Sequence, residues 1–364
     1  MDYEDRGRLV QEARAFAEQS RREFLGNLLS AGAVGTLAGG LVGSASADEI
    51  EVAQGGRKVR VGIPLNYGPL NQPWRRGCWQ MVKTVSEKGG EPVTLRGVPS
   101  KASEQEVMLE LLDRDIDALV VGLYSLENDT AHIVDKARDL GIKTVGFGVD
   151  VKDSPAVVED TWATAMTLGY YLHNVLDRRG TIVQTAENKG FYTPFDMEAD
   201  MLDLMTGYEP KMSVLPFMAG SVSTKDQIGK GRENMSALLA ANPEPESVSA
   251  LVSWWWPLSI GAGQAMKLAG RNDVRILNHY FSIDLLKAMA AQTYPIEFST
   301  DVPWHTIGRK CAELAMAMGR GETVPNHTFR APVTAILPEE AERALRHIEE
   351  MDLQAIALLK PHGG

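Results

Sequence analysis

From residue 58 onward, short apolar runs alternate along the chain with longer stretches in which apolar residues recur at helical spacing. The apolar runs predict buried strands, and the stretches between them predict helices. The strands are predicted at 59–65, 118–122, 143–147, 181–184, 248–252 and 274–277. Strand and helix in strict alternation are typical of a parallel sheet covered by helices on both faces. The pattern therefore predicts a doubly wound α/β fold.

The length and charge of the chain indicate the number of lobes and exclude some kinds of partner. At 364 residues it exceeds what one hydrophobic core normally supports, so we expect two lobes. A net charge of −11 argues against nucleic acid or an anionic membrane as a partner. The two cysteines, Cys78 and Cys311, lie in helix-like stretches and are expected to be buried, and the sequence leaves open whether they pair.

The first fifty residues have the order of an export signal. Arg21 and Arg22 precede Phe24 and Leu25, a Gly- and Ala-rich apolar run spans 26–43, and 45–47 reads Ala-Ser-Ala. A charged segment, an apolar segment and a small-residue cleavage site in this order form a signal peptide, and the paired arginines match the twin-arginine route. We therefore expect residues 1–47 to be a signal peptide that is cleaved after Ala47 when the protein is exported to the periplasm.

Motifs of the common enzyme classes are missing from the sequence. It has no G-x-S-x-G elbow, no Walker A run, no H-E-x-x-H and no Cys/His cluster with metal-ligand spacing. We therefore expect no catalytic residue, no cofactor and no metal site, and a protein that is not an enzyme.

Several segments together resemble the type I periplasmic binding proteins, in their ribose- and sugar-binding branch of ABC-transporter receptors. The first strand leads into Asn71-Gln72-Pro73-Trp74, which is similar to the family's Asn-Asn-Pro-Phe turn. Further similar units lie at 115–122, 141–146, 248–263 and 272–284. The resemblance covers about residues 57–330.

The resemblance implies two similar lobes joined by a three-segment hinge, with crossings near 159–161, 300–303 and 330–333. The expected domains are a first lobe of 57–158 with 304–331, and a second lobe of 159–303 with 332–364. The resemblance also implies that the protein binds a sugar or polyol by hinge closure and delivers it to an ABC permease. A receptor that reports a small ligand, sugar or not, to a sensor kinase or chemoreceptor is the alternative.

Ligands of open parallel sheets bind beyond the carboxyl ends of the strands, so the loops after strands are the places to look. Aromatic faces cover the C–H faces of a sugar, while polar side chains bond its hydroxyls. The residues predicted to bind the ligand combine both kinds: Trp74, Arg75, Asp150, Asp160, Trp254, Trp255, Trp256, Tyr280, Asp301, Trp304 and His305.

Two of these assignments have open alternatives. Successive side chains of an extended segment alternate, so Trp254, Trp255 and Trp256 cannot all face the cleft. We expect Trp255 to face it, with core packing as the other interpretation. Asp160 lies where the family places a ligand contact, but it also stands where a helix N-cap is expected.

Replacing Arg21 and Arg22 together with lysine is expected to block export, because the twin-arginine route reads the arginine pair itself. Fractionation of cells that express the variant, followed by immunoblotting, should find the precursor in the cytoplasm. Export at the wild-type level would contradict the assignment.

Overall fold

A computed structural model describes residues 3–30 and 57–360, except positions 69, 99, 123, 125–126 and 221–225. The predicted cleavage site at 45–47 and most of the predicted apolar run lie outside the described residues. None of the described helices combines the length and apolarity needed to span a membrane.

The described chain alternates strands and helices as the sequence predicts. The strands are β1 Arg60–Leu65, β2 Glu91–Arg96, β3 Ala118–Val121, β4 Lys143–Phe147, β5 Ala156–Glu159, β6 Gly180–Ala186, β7 Met212–Val214, β8 Met218–Ala219, β9 Ala250–Ser253, β10 Arg275–His279, β11 Ile296–Asp301, β12 Thr328–Ala331 and β13 Thr334–Ile336. The helices are α1 Tyr3–Ser30, α2 Gln72–Glu87, α3 Lys101–Leu112, α4 Glu127–Asp139, α5 Thr161–Val175, α6 Thr193–Gly207, α7 Gln227–Ala241, α8 Trp256–Ala269, α9 Ile283–Ala290, α10 Trp304–Gly319 and α11 Pro338–Leu359.

The strands form two sheets. The first has the order β12-β5-β4-β3-β1-β2, and all of its pairs are parallel. The second has the order β13-β11-β10-β9-β6-β7, with β8 also paired to β6, and it is parallel except where β13 meets β11. This confirms the predicted α/β class with two doubly wound sheets, since apolar strands such as β3 and β9 are buried along their whole length.

The chain passes between the two sheets at three places. It leaves the first sheet after Glu159, and Asp160 is the N-cap of α5 in the second lobe. It returns between Asp301 and Trp304, and it crosses again between Ala331 and Thr334. These short connections lie where we expected crossings, and the lobe boundaries and the hinge motion stay predictions.

Two helices near the chain ends pack against the lobes. Along α1, Leu9, Val10, Ala13 and Ala17 are buried, and this helix lies against α5. Its Arg21 forms an ion pair with Asp160 at the first crossing. Near the other end, α11 packs against both α9 of the second lobe and α2 of the first, so it bridges the lobes.

The two cysteines are both buried and are not joined by a disulfide bond. Cys78 lies on α2 and Cys311 on α10, two helices that pack against each other. Burial raises the pKa of the Cys78 thiol to about 12, so it stays protonated and packs as a small apolar group.

Asp352 connects the bridging helix α11 to the first lobe. Its carboxylate lies 3.0 Å from Arg75 Nη2 and 3.8 Å from Arg76 Nη1, and both Arg76 and Asp352 are almost fully buried. Asp352→Asn would leave Arg75 without its ion-pair partner and Arg76 with only the nearby Asp301, so we expect the free energy of unfolding to fall by roughly 3 kcal/mol.

The matched control for this change lies on the same helix. Glu349 forms an exposed pair with Lys287, and Glu349→Gln should cost less than about 1 kcal/mol. Urea denaturation of both variants measures the two costs. Equal costs would contradict a stabilising role for the Asp352 pairs.

Candidate functional site

Aromatic side chains from both lobes meet where the carboxyl ends of the two parallel sheets face each other. We call this set the aromatic cluster, and each member is at most 3% exposed. Its members are Trp74, Tyr124 and Trp304 from the first lobe and Tyr192, Phe195, Trp255 and Tyr280 from the second. This is the position at which open α/β sheets bind ligands.

Trp74 is the centre of the first-lobe half of the cluster. It stands in the first turn of α2, with Pro73 beside it at the start of the helix. Its ring lies nearly parallel to that of Trp255 across the lobe boundary, with 5.6 Å between centroids and 15° between planes. Tyr124 and Trp304 meet it edge-on at 5.1 and 6.3 Å. The cluster therefore joins the lobes through stacked and edge-to-face pairs.

Two tyrosines of the second lobe share one carboxylate. Tyr192 donates its hydroxyl to Glu159 Oε1 at 2.7 Å, and Tyr280 donates to Glu159 Oε2 at 2.6 Å. Burial raises the pKa of both phenols well above the ordinary value, so both stay protonated donors. Tyr280 holds this position with a φ of 73°, a left-handed conformation that bulky residues rarely adopt and that is characteristic of functional sites.

Four polar atoms in and beside the cluster are buried and have no hydrogen-bond partner among the described residues. They are Trp74 Nε1, Trp304 Nε1, Tyr124 Oη and Glu187 Oε2. Leaving a buried polar group unsatisfied costs about 1–3 kcal/mol, so such groups are rare in folded proteins. Three donors and one carboxylate oxygen in one aromatic setting are suited to a small ligand that carries both hydroxyl donors and acceptors.

A hydrogen-bonded chain connects Glu187 to the cluster. Trp255 donates through Nε1 to Gln227 Oε1 at 2.7 Å, and Gln227 donates through Nε2 to Glu187 Oε1 at 2.7 Å. Burial raises the pKa of Glu187 to about 7, and the hydrogen bond from Gln227 opposes that shift. The orientation of the Trp255 ring is thus fixed by hydrogen bonds that run through Gln227 to the carboxyl group of Glu187.

The structure brings four of the predicted ligand residues together, namely Trp74, Trp255, Tyr280 and Trp304. Of the two other consecutive tryptophans, Trp256 borders the cluster, with 6.3 Å between its ring centroid and that of Trp255. Trp254 is in the core of the second lobe and donates to Gln184 Oε1, whereas Trp256 donates to the backbone carbonyl of Leu70. The alternation of side chains does not extend through the three consecutive tryptophans, because β9 ends before Trp254 and α8 begins at Trp256.

Three polar residues of the predicted set have partners outside the cluster. Arg75 pairs with Asp352. Asp150 is exposed and accepts a hydrogen bond from Thr328 Oγ1 at 2.6 Å. The Asp160 side chain accepts from the backbone N–H of Ala163 at 3.2 Å, which makes it the N-cap of α5. The sequence left open whether Asp160 contacts the ligand or caps a helix, and the structure shows it as a helix cap.

Asp301 and His305 lie at the second crossing, next to α11. With Arg76 they line a cavity of about 470 Å³. Burial raises the pKa of Asp301 to about 7, with the nearby charge of Arg76 opposing the shift, and burial together with His347 lowers that of His305 to about 4. The neighbouring residues Trp304 and His305 therefore have different environments: Trp304 belongs to the aromatic cluster, and His305 lines this cavity.

A second cavity, of about 260 Å³, opens between the lobes beside the first crossing. Its lining includes Asp150 and Val149 from the loop after β4, Glu159 at the crossing, and Thr193 and Pro194 at the start of α6. Since Glu159 also receives both tyrosine hydroxyls, this cavity lies next to the aromatic cluster.

Sequence reasoning missed five residues of the site: Tyr124, Glu187, Tyr192, Phe195 and Gln227. Tyr124 and Glu187 follow the ends of β3 and β6, so the rule that directed attention to the other strand ends would have found them. Gln227 begins a helix and has no such signal, because its role depends on the neighbouring Trp255 and Glu187.

The raised pKa of Glu187 has a consequence for stability. Between its ordinary pKa of 4.5 and the folded value of about 7, the folded protein holds a proton that the unfolded chain releases. The free energy of unfolding therefore falls as pH rises through this window. Glu187→Gln removes the effect, so its stability relative to wild type should rise by about 3 kcal/mol between pH 4 and pH 8.

Urea denaturation at both pH values tests this. Glu106→Gln, on the exposed side of α3, controls for the general effect of removing one negative charge. A stability difference between Glu187→Gln and wild type that is the same at both pH values would contradict the assignment.

Solved structures of similar fold come from several bacteria. An ABC transporter solute-binding protein from Agrobacterium vitis with bound allitol is 21% identical, covers 80% of this chain and 99% of its own, and has a TM-score of 0.68. A 5-methylthioribose transporter solute-binding protein from Thermotoga lettingae is 18% identical over 83% of this chain and 92% of its own, with a TM-score of 0.70. The binding protein of the arabinose ABC transporter from Shewanella sp. ANA-3 is 17% identical over 82% and 98%, with a TM-score of 0.70. At these identities the similarity shows the fold.

A search of curated protein sequences finds no match. Residues 65–323 do match the family described as the periplasmic binding protein domain. That match spans well over half of the 364 residues and includes strands β2 to β11 and the whole aromatic cluster. The chain therefore belongs to the periplasmic binding protein domain family.

Proposed function

We propose that the protein is a periplasmic receptor that binds a sugar or polyol between its lobes and delivers it to the permease of an ABC transporter. The observation that carries the proposal is the set of buried polar atoms without partners, Trp74 Nε1, Trp304 Nε1, Tyr124 Oη and Glu187 Oε2, within a cluster of aromatic rings. A polyhydroxylated ligand satisfies all four, since each hydroxyl both donates and accepts.

The chemistry of the cluster suits such a ligand in a second way. The indole faces of Trp74 and Trp255 stack on each other here, and once the lobes separate they can cover the C–H faces of a sugar, while the polar atoms at the cluster's edge select for hydroxyl groups. The ligands named for proteins of similar structure, allitol, 5-methylthioribose and arabinofuranose, are sugars or polyols and agree with this chemistry.

Access to the cluster requires the lobes to separate. Trp74 and Trp255 are on different lobes and are each at most 1% exposed, so a ligand cannot reach either ring in this arrangement. A ligand that contacts both lobes binds the closed state more tightly than the open state and shifts the population toward closure. The closed surface is then what the permease recognises.

Export by the twin-arginine route completes the proposal. Arg21 and Arg22, the apolar run after them and the small residues at 45–47 support cleavage after Ala47 and release into the periplasm. Family members are periplasmic solute-binding proteins, which agrees with this destination.

Ligand screening with one variant tests the proposal. Thermal shift of the mature protein against sugars and polyols should identify a ligand, whose affinity is then measured by calorimetry. Trp255→Ala should weaken binding by about 10–100-fold, because a large aromatic contact worth roughly 1.5–3 kcal/mol is lost. Small-angle scattering should show the wild-type protein becoming more compact on saturation.

Trp254→Ala is the matched control. This neighbouring tryptophan is equally buried but packs in the core of the second lobe, so its loss should lower the melting temperature more than the affinity of the folded fraction. If both variants bind as wild type, the aromatic cluster is not the ligand site.

A further inference from the structure

Three ionisable side chains converge inside the second lobe. Glu159 comes from the end of β5, Glu198 from α6 and His279 from the end of β10. His279 Nε2 lies 3.6 Å from Glu198 Oε1 and 3.8 Å from Glu159 Oε2, and one ligand atom from each residue lies within 4.8 Å of the others. We call these three residues the Glu–Glu–His cluster, and each is at most 2% exposed.

The atoms that point into this cluster lack ordinary partners. Both carboxylate oxygens of Glu198 and the Nε2 of His279 have no hydrogen bond among the described residues. The other ring nitrogen of His279, Nδ1, lies 2.8 Å from Thr300 Oγ1. With its proton on Nδ1, the imidazole presents the lone pair of Nε2 to the two carboxyl groups. An outer hydrogen bond of this kind orients nearly every metal-binding histidine.

The charge balance of the cluster points to a cation. Among the described residues, the ion-pair contacts of Glu159 and Glu198 are to His279, and neither carboxyl group pairs with a lysine or an arginine. Two carboxyl groups taken this far from water are costly unless a positive charge or a proton compensates them.

We propose that the Glu–Glu–His cluster binds one divalent transition-metal ion, with zinc as the best match. One imidazole and two carboxylates from three separate segments are a donor set that zinc accepts, with a fourth position left for a further ligand. Manganese is the other divalent ion suited to such nitrogen and oxygen donors. The sequence carries no signal for this site, because no two of the three residues are close in the chain.

A metal ion here would act through the hinge. Glu159 is the last residue of β5 before the first crossing, and it receives the hydroxyls of Tyr192 and Tyr280. The ion would therefore tie this crossing to α6 and β10, directly beside Tyr280 of the aromatic cluster, whose ring lies 4.1 Å from that of His279. The Glu–Glu–His cluster can bind this ion whatever the small ligand is and whether or not the protein takes part in transport.

Metal analysis of the purified full-length and mature proteins tests the proposal. Inductively coupled plasma mass spectrometry should find one zinc or manganese ion per chain. Dialysis against dipicolinate should remove the ion and lower the melting temperature, and added Zn²⁺ should restore both. A protein that carries no metal as purified, and whose melting temperature neither Zn²⁺ nor Mn²⁺ changes, would overturn the proposal.

Two variants locate the ion. Glu198→Gln keeps the shape of the side chain but removes a ligand, so Zn²⁺ should bind at least about 100-fold more weakly. Thr300→Val removes only the outer hydrogen bond to His279 and should weaken Zn²⁺ binding by roughly 10–100-fold, which tests the site even if Glu198→Gln fails to fold.

Asp203→Asn is the control, because it removes a carboxylate from the same helix outside the cluster. It should keep the wild-type metal content. Wild-type zinc affinity in both Glu198→Gln and Thr300→Val would place any bound metal elsewhere and overturn the proposal. Sugar binding is measured separately, so failure of the metal site leaves the proposed transport function untouched.

Discussion

The arrangement of the site depends on one buried carboxyl group, that of Glu159. It stands at the last position of β5, where the chain leaves the first sheet, and both of its oxygens accept a tyrosine hydroxyl. Hydrogen bonds to a buried carboxyl group are strong in a low-dielectric interior, and losing one leaves a buried oxygen unsatisfied. The first crossing, the start of α6 and the end of β10 are thereby held in one geometry. At Tyr280 the left-handed backbone is accompanied by hydrogen bonds from its N–H to Thr300 O and from Asn278 Nδ2 to its carbonyl.

The aromatic cluster lies next to Glu159 and contains groups that favour contact between the lobes as well as groups that oppose it. Ring contacts between Trp74 and Trp255 make the closed arrangement favourable through apolar burial, which requires no ligand. The buried polar atoms without partners oppose it, because each loses water on closure and gains nothing in return. In the proposed receptor, a ligand that supplies the missing hydrogen bonds removes this opposing contribution, and we propose that closure depends on the ligand for this reason.

Periodicity and strand ends predicted the fold well, since they depend on local patterns of apolar residues. The same local reasoning placed Trp74, Trp255, Tyr280 and Trp304 at the strand ends, and the structure brings them together. It could not place Trp254 and Trp256 without knowing where α8 begins, because alternation stops at a helix N-terminus. The convergence of Glu159, Glu198 and His279 depends on tertiary packing of three separate segments, which no local pattern in one sequence reveals.

Arg75 shows how the bridging helix α11 changes the role of a residue at the cleft. It stands beside Trp74 in the first turn of α2, where the helix dipole is positive and a second guanidinium, Arg76, follows directly. Two adjacent cations at a helix N-terminus repel each other, and the nearly buried Asp352 of α11 lies against both. Because α11 also packs on α9 of the second lobe, this carboxylate links the helix that carries Trp74 to the opposite lobe. The position of Trp74 relative to Trp255 is therefore set from two sides, by ring stacking inside the cleft and by this ion pair behind it.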